Sequence, residues 1–161
     1  MTVLIREFQP DDAAAVNRVA LAAWDQYRGL FSNWARSEAV FANVASFADK
    51  AELLVAEKEG SVVGCVVYVN PGREREDIYD SSWSIIRALS VDPGERGKGI
   101  GRQLSEACIA RARRDGARVI GLHTSPVMTV ALPLYLRLGF VHYRDIPDRN
   151  GLPYAVYTLA L

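Results

Sequence analysis

With 161 residues, half of them hydrophobic, the chain is long enough for one globular domain, 1–161, whose core needs no disulfide or metal staple. Its 19 Lys and Arg balance its 19 Asp and Glu, so no overall charge draws it to nucleic acid or to an anionic membrane. The short apolar start meets Arg6 and Glu7 too soon for a signal peptide or a membrane span, and Cys65 and Cys108, with no C-x-x-C or Cys/His cluster, read as buried thiols of a reducing cytoplasm rather than as metal ligands.

Val3 to Phe8 reads as a first strand, stopped by Gln9-Pro10-Asp11-Asp12, which also supplies a capping Asp for a helix. That helix carries Val16, Val19, Ala20, Ala23, Trp24 and Tyr27 on one side and breaks at Gly29. A second helical pattern holds Val40, Phe41, Val44, Phe47 and Ala48. Leu53 to Ala56 is a strand, Lys58 to Ser61 a turn, and Val62 to Val69 an apolar strand of central character. Asn70 to Asp80, polar and heavily charged, reads as a mobile loop.

Ile85 to Val91 is a strand again, and Ile100, Leu104, Ala107, Cys108 and Ala112 then form one apolar stripe on a helix that Asp115-Gly116 stops. Val119 to Thr124 is a strand and Ala131 to Leu138 a short helix. Phe140 to Arg144 and Tyr154 to Leu161 form a closing strand pair across a turn at Asp148-Arg149-Asn150-Gly151.

The most informative stretch is the strand-to-helix turn from Asp92 to Gly101, which holds Gly94, Gly97, Gly99 and Gly101 beside Arg96, Lys98 and Arg102. Glycines let backbone N–H groups face one concavity, and a helix N-terminus adds unpaired donors and the positive end of its dipole. Together they make a receptor for phosphate or pyrophosphate. A P-loop needs Lys-Ser or Lys-Thr where Lys98-Gly99 stands, and a dinucleotide fingerprint needs G-x-G-x-x-G where Gly97, Gly99 and Gly101 run G-x-G-x-G.

What the stretch resembles is the acetyl-CoA loop of the GCN5-related N-acetyltransferases, R/Q-x-x-G-x-G/A, here Arg96-Gly97-Lys98-Gly99-Ile100-Gly101 with the lead-in Leu89 to Pro93. Further on, Leu134-Tyr135-Leu136-Arg137-Leu138-Gly139-Phe140 resembles that family's L-Y-x-x-x-G-F signature, and the element order agrees along the whole chain. The resemblance implies an α/β (α+β) acyl-CoA N-acyltransferase fold: a central mixed, mostly antiparallel sheet, helices on both faces, and a splayed strand pair for acetyl-CoA. It implies cofactor contacts from Leu89, Ser90, Val91, Arg96, Gly97, Lys98, Gly99, Ile100, Gly101 and Arg102, and Tyr135 as the acid that protonates the departing thiolate. Trp24, Tyr27 and Trp34 fall where family members place the acceptor site. Two positions depart from the pattern: Met128 replaces the usual Asn, and Pro133 implies a helix that starts near Val130.

The function so implied is transfer of an acetyl group from acetyl-CoA to a primary amine, in the cytoplasm, without metal, nucleic acid or membrane, and with a homodimer left open. The base is not fixed: Asp25, Glu38, Asp80 or a water chain all serve, and His123 is either a base or a half-exposed sheet residue. Two other classes stay open, a non-catalytic acyl-CoA sensor and a nucleotide-binding module. Arg111-Ala112-Arg113-Arg114 reads as a solvated helix end.

Overall fold

Leu53 and Val55 lie in one half of the core while Leu54 and Ala56 lie in the other, the period-two pattern of a strand covered on both faces. The structure, a computed structural model, describes residues 2–161. In chain order its elements are β1 (Leu4–Glu7), α1 (Ala13–Trp24), α2 (Trp34–Phe41), β2 (Glu52–Lys58), β3 (Ser61–Val69), β4 (Ser84–Val91), α3 (Ile100–Arg114), β5 (Val119–Thr124), α4 (Ala131–Arg137), β6 (Val141–Arg149) and β7 (Leu152–Ala160). The strands form one sheet in the order β1-β2-β3-β4-β5-β7-β6. Every neighbouring pair is antiparallel except β4 with β5. α1 and α2 cover one face, and α3 and α4 the other. The implied mixed sheet with helices on both faces is therefore present.

Two helical readings change in detail. α1 stops at Trp24 and continues as a single tight turn, Asp25–Tyr27. The second pattern splits into α2 and a 3-10 run, Val44–Asp49, because Asn43 interrupts it. The Asn43 amide turns back to the Ala39 carbonyl at 2.8 Å, and Asn17 of α1 accepts the Ala45 N–H at 2.9 Å. A short polar side chain that bonds its own backbone ends a helix that apolar spacing alone would continue.

The segment expected to be a mobile loop, Asn70 to Asp80, is pinned. Arg75 donates to the carbonyls of Asn70, Asp80 and Trp83, and Tyr79 is buried. The Arg111 to Arg114 run also differs from expectation: Arg111 and Arg114 both pair with Glu52 of β2, and Arg114 also with Asp115. β6 runs on to Arg149, beyond Arg144, because Asn150 and Gly151, at φ 54° and 74°, close a two-residue hairpin that pairs Arg149 with Leu152.

The feature that shapes the site is in β4. It pairs with β5 only through Ser84–Ile120 and Ile85–Gly121, and beyond Ile85 the two strands separate. On its other edge the register against β3 slips between Cys65–Ser90 and Val67–Arg87, a bulge in which Ala88 takes φ 51°. The bulge turns the end of β4 away from β5 and leaves one edge of its backbone without a strand partner.

A β-carbon at positive φ is strained, and a branched one more so. Ala88→Val is expected to destabilise the protein by about 1–3 kcal/mol, while Ala88→Gly melts at or near the wild-type temperature. Thermal and urea unfolding of the two variants checks this; equal stability of Ala88→Val would remove the strain from the account.

Candidate functional site

Two cavities open where β4 and β5 part, and Trp24, Leu89 and Ala131 line both. The first, about 360 Å³, lies between the end of α1, the outer part of β4 and the start of α3. Gly97 and Gly99 sit on its wall at φ 76° and 83°, and a β-carbon at either would meet no protein atom within 4 Å. Their backbone therefore faces open space. Gly99 caps α3, and Gln103 is the first residue whose N–H reaches back to it, at 3.0 Å. The N–H groups of Ile100, Gly101 and Arg102 thus have no acceptor within the helix. Gly101 has another role: a β-carbon there would lie 3.3 Å from Leu134, so it lets α3 approach α4 closely.

The cations around this loop are already engaged. Arg96 donates to the Ala23 carbonyl at 3.0 Å and to Gln26 at 3.3 Å, which ties the loop to the end of α1. Lys98 pairs with Glu95 at 2.9 Å, off the cavity wall, and Glu95 also holds Lys58. Arg102 lines the cavity but pairs with Glu106 at 2.6 Å. What this wall offers an anion is chiefly aligned amide dipoles rather than free side-chain charge.

At the junction of the cavities, Trp24 donates its indole N–H to the Ser90 hydroxyl at 3.1 Å, and Ser90 donates to the Ala88 carbonyl at 2.9 Å. This chain clamps the bulge to α1. Trp24 itself stacks on Phe41, centroids 4.5 Å apart. Leu89 and Val91 turn their side chains to the first cavity, while Ser90 is buried behind them.

The second cavity is wider, about 600 Å³, and lies on the β5 and hairpin side. Tyr135 lines it, buried except for that opening, and packs edge-on against Phe140. Burial pushes its phenol well above the ordinary value, so it stays protonated across the working range. Among the described residues its hydroxyl has no hydrogen-bond partner. Pro133 falls in the first turn of α4, and Met128, buried, accepts from the Thr124 hydroxyl at 3.4 Å.

The aromatics separate. Trp24 reaches both cavities, Tyr27 only the first, and Trp34 neither, because its indole N–H bonds Glu38 at 2.9 Å under the Arg28 guanidinium. Phe31, Phe41, Phe47 and Tyr154 line the second cavity instead. The carboxylates considered as bases also fall elsewhere: Asp25 and Glu38 pair with Arg28, and Asp80 caps Ser82. His123 does line the second cavity, its Nδ1 bonded to the buried Tyr79 hydroxyl. Burial, reinforced by Arg149 and Arg87, pulls its pKa down to about 4, so it is neutral at pH 7. Arg87, Arg149 and Glu76 on the same wall escaped the sequence reading, because no local pattern marks them.

Residues 16–140 match the model of the acetyltransferase (GNAT) family, and the chain belongs to that family. A mycothiol acetyltransferase of Cellulomonas flavigena is 37% identical over 94 residues, 57% of this chain and 27% of that protein. One of Sanguibacter keddieii is 34% identical over 143 residues, 86% of this chain and 43% of that protein. The chain thus spans less than half the length of these relatives. A GNAT family acetyltransferase from Brucella melitensis, solved in complex with acetyl-CoA, superposes with a TM-score of 0.68 at 28% identity, covering 99% of this chain and 88% of that one. No helix among the described residues is long and apolar enough to cross a membrane.

The depressed His123 pKa has a definite sign. Below pH 6.5 the unfolded chain takes up a proton that the folded protein refuses until about pH 4. Stability is therefore full above 6.5 and falls as the pH drops through that window, by at most about 3 kcal/mol. His123→Gln is expected to lack this portion of the loss between pH 6.5 and 4, and urea titrations of both proteins across that range measure it.

Proposed function

We propose that this chain is an acetyl-CoA-dependent N-acetyltransferase that acetylates a primary amine by direct attack. The observation that carries the reading is a backbone cradle at Gly97 to Arg102 contiguous with the unpaired edge of β4, which runs on to a cavity lined by a protonated tyrosine. The names of the acetyltransferase relatives and the ligand of the Brucella structure agree with it.

The space where glycine β-carbons are missing fits a pyrophosphate. The N–H groups of residues 97 to 102 would hold it, with Arg96 keeping the loop in place and Arg102 at its rim. Leu89, Ser90 and Val91 would pair their free backbone groups with the pantetheine amides, as an added strand does. The bound thioester supplies an activated acetyl group. A backbone N–H beside the bulge polarises its carbonyl. The amine enters by the wider cavity, past Trp24. Its nitrogen forms the new C–N bond, the C–S bond breaks, the Tyr135 hydroxyl supplies the proton that the thiolate sulfur takes, and the proton the amine loses passes through water to restore the phenol. The side chains of Lys98 and Trp34, held by Glu95 and Glu38, line neither cavity and are assigned no step in this reading.

The cradle sets one expectation. Gly99→Val puts a branched side chain into the anion space at a positive φ, so acetyl-CoA affinity is expected to fall at least tenfold while the circular dichroism spectrum remains native. Calorimetric titration with acetyl-CoA decides; wild-type affinity would move the ligand elsewhere.

Tyr135→Phe sets another. General acids contribute about 10²–10⁴-fold. A raised phenol pKa makes Tyr135 a weak acid, and a thiolate leaves readily, so the lower end is expected, about 10²-fold in kcat with the KM for acetyl-CoA little changed. Release of CoA thiol with a panel of primary amines measures it. A folded Tyr135→Phe protein with wild-type kcat would assign the proton to water.

A further inference from the structure

The wider cavity holds a cation without a counter-ion. Arg87 leaves β4 one residue before the bulge and is half-buried in the cavity wall. Among the described residues it makes neither an ion pair nor a side-chain hydrogen bond; its guanidinium lies 5.0 Å from the centre of the Phe47 ring. The other half-buried arginines are all bonded, Arg6 to Asp12, Arg111 to Glu52 and Arg149 to Glu76 at 3.0 Å as ion pairs, Arg75 to backbone carbonyls, and Arg96 to the Ala23 carbonyl and Gln26. A half-buried guanidinium left unmatched is costly unless something that enters the cavity brings the opposite charge.

The surroundings say what kind of charge. Three arginines, 36, 87 and 149, face two carboxylates, Glu76 and Asp148, and His123 is neutral at pH 7. One unit of positive charge is left over, which suits a monoanion. The planar fork of Arg87 matches a carboxylate through two parallel N–H donors. Its field already reaches the cavity floor, where it disfavours the protonated form of His123 and partly offsets the rise of the Tyr79 pKa.

Position supplies the geometry. Arg87 stands two residues before Leu89, where the two cavities meet, across the Ala88 bulge, so no more than about 7 Å of backbone separates them. We propose that Arg87 binds a carboxylate of the acceptor, so that the acceptor is a small amino-carboxylate whose amine and acid are only a few bonds apart. The aromatic wall of Phe31, Phe41, Phe47 and Tyr154 then receives the rest of the molecule. The anion site stands on Arg87 alone; that the second group is a reacting amine rests on the acetyl-transfer reading.

The test uses matched acceptors: glycine, β-alanine, γ-aminobutyrate, leucine and phenylalanine, each beside its carboxamide. Thiol release gives kcat/KM for wild type, Arg87→Gln, and Arg87→Met, which keeps the stem over Phe47 should Arg87→Gln fail to fold. The wild type is expected to favour at least one acid over its amide by about 10–100-fold, the range of a charge-assisted pair. In the variants that ratio collapses toward one while the KM for acetyl-CoA holds. Amides used as well as acids by the wild type, or a preference that survives in the variants, would overturn the carboxylate site and leave acetyl transfer standing. If no amine releases thiol, the transfer reading fails instead. Calorimetry with N-acetyl-leucine and N-acetyl-phenylalanine then decides the site: binding to wild type but not to Arg87→Gln upholds it, and binding to neither overturns it.

Discussion

β4 and β5 hydrogen-bond at two residue pairs and then part, and the rest of the site depends on that parting. A parallel pair that stayed in register would consume the backbone groups of Arg87 to Val91 and close the space between the two cavities. The slip against β3 at Ala88 prevents this, because an extra residue on one strand kinks it and increases its twist. The strained residue is held from both sides of the chain. Ser90 satisfies the Ala88 carbonyl, and Trp24 of α1 satisfies Ser90. The first helix is thereby coupled to the one stretch of strand whose edge is left free.

The two cavities work by different physics. Around the glycine loop, Lys98 and Arg102 are spent on Glu95 and Glu106, and Arg96 on the end of α1, so anion binding is left to aligned N–H groups that cannot reorient. In the wider cavity the charge is on side chains: Arg149 is matched, Arg87 is not, and His123 is neutral by burial. The first arrangement suits a group common to every turnover. The second suits a molecule that must be chosen.

Some of this was legible in the chain. Gly97 and Gly99 after an apolar strand marked the left-handed turn that opens α3, since the requirement for backbone freedom is local, whereas Gly101 answers to Leu134 across the helix pair. Asn150-Gly151 named its hairpin for the same reason. The placement of Tyr135 on a short helix behind that turn followed from the order of the motifs. The aromatic row was less legible: Trp24, Tyr27 and Trp34 share spacing and chemistry, yet one lines both cavities, one lines only the first, and one turns to Glu38. Helical spacing says which side a residue faces, but not what lies opposite. The polar run from Asn70 reads as a loop because its charges look solvated; in the fold Arg75 turns back on the carbonyls of Asn70 and Asp80 and on that of Trp83 just beyond.

What the sequence determined by itself was therefore whatever is settled within a few residues: periodicity, turn chemistry, the glycine turn, and, through the family resemblance its motifs carry, the class of fold. What only the tertiary structure decided was pairing across the chain. Glu52 meets Arg111 and Arg114, Trp24 meets Ser90, and His123 meets Tyr79. Arg87 in the sequence is one arginine among many, and its lack of a partner is a property of everything packed around it. Charges and hydrogen bonds act over a few ångströms of space whatever the separation along the chain, so the groups that select a ligand emerge only once the sheet has brought distant segments together.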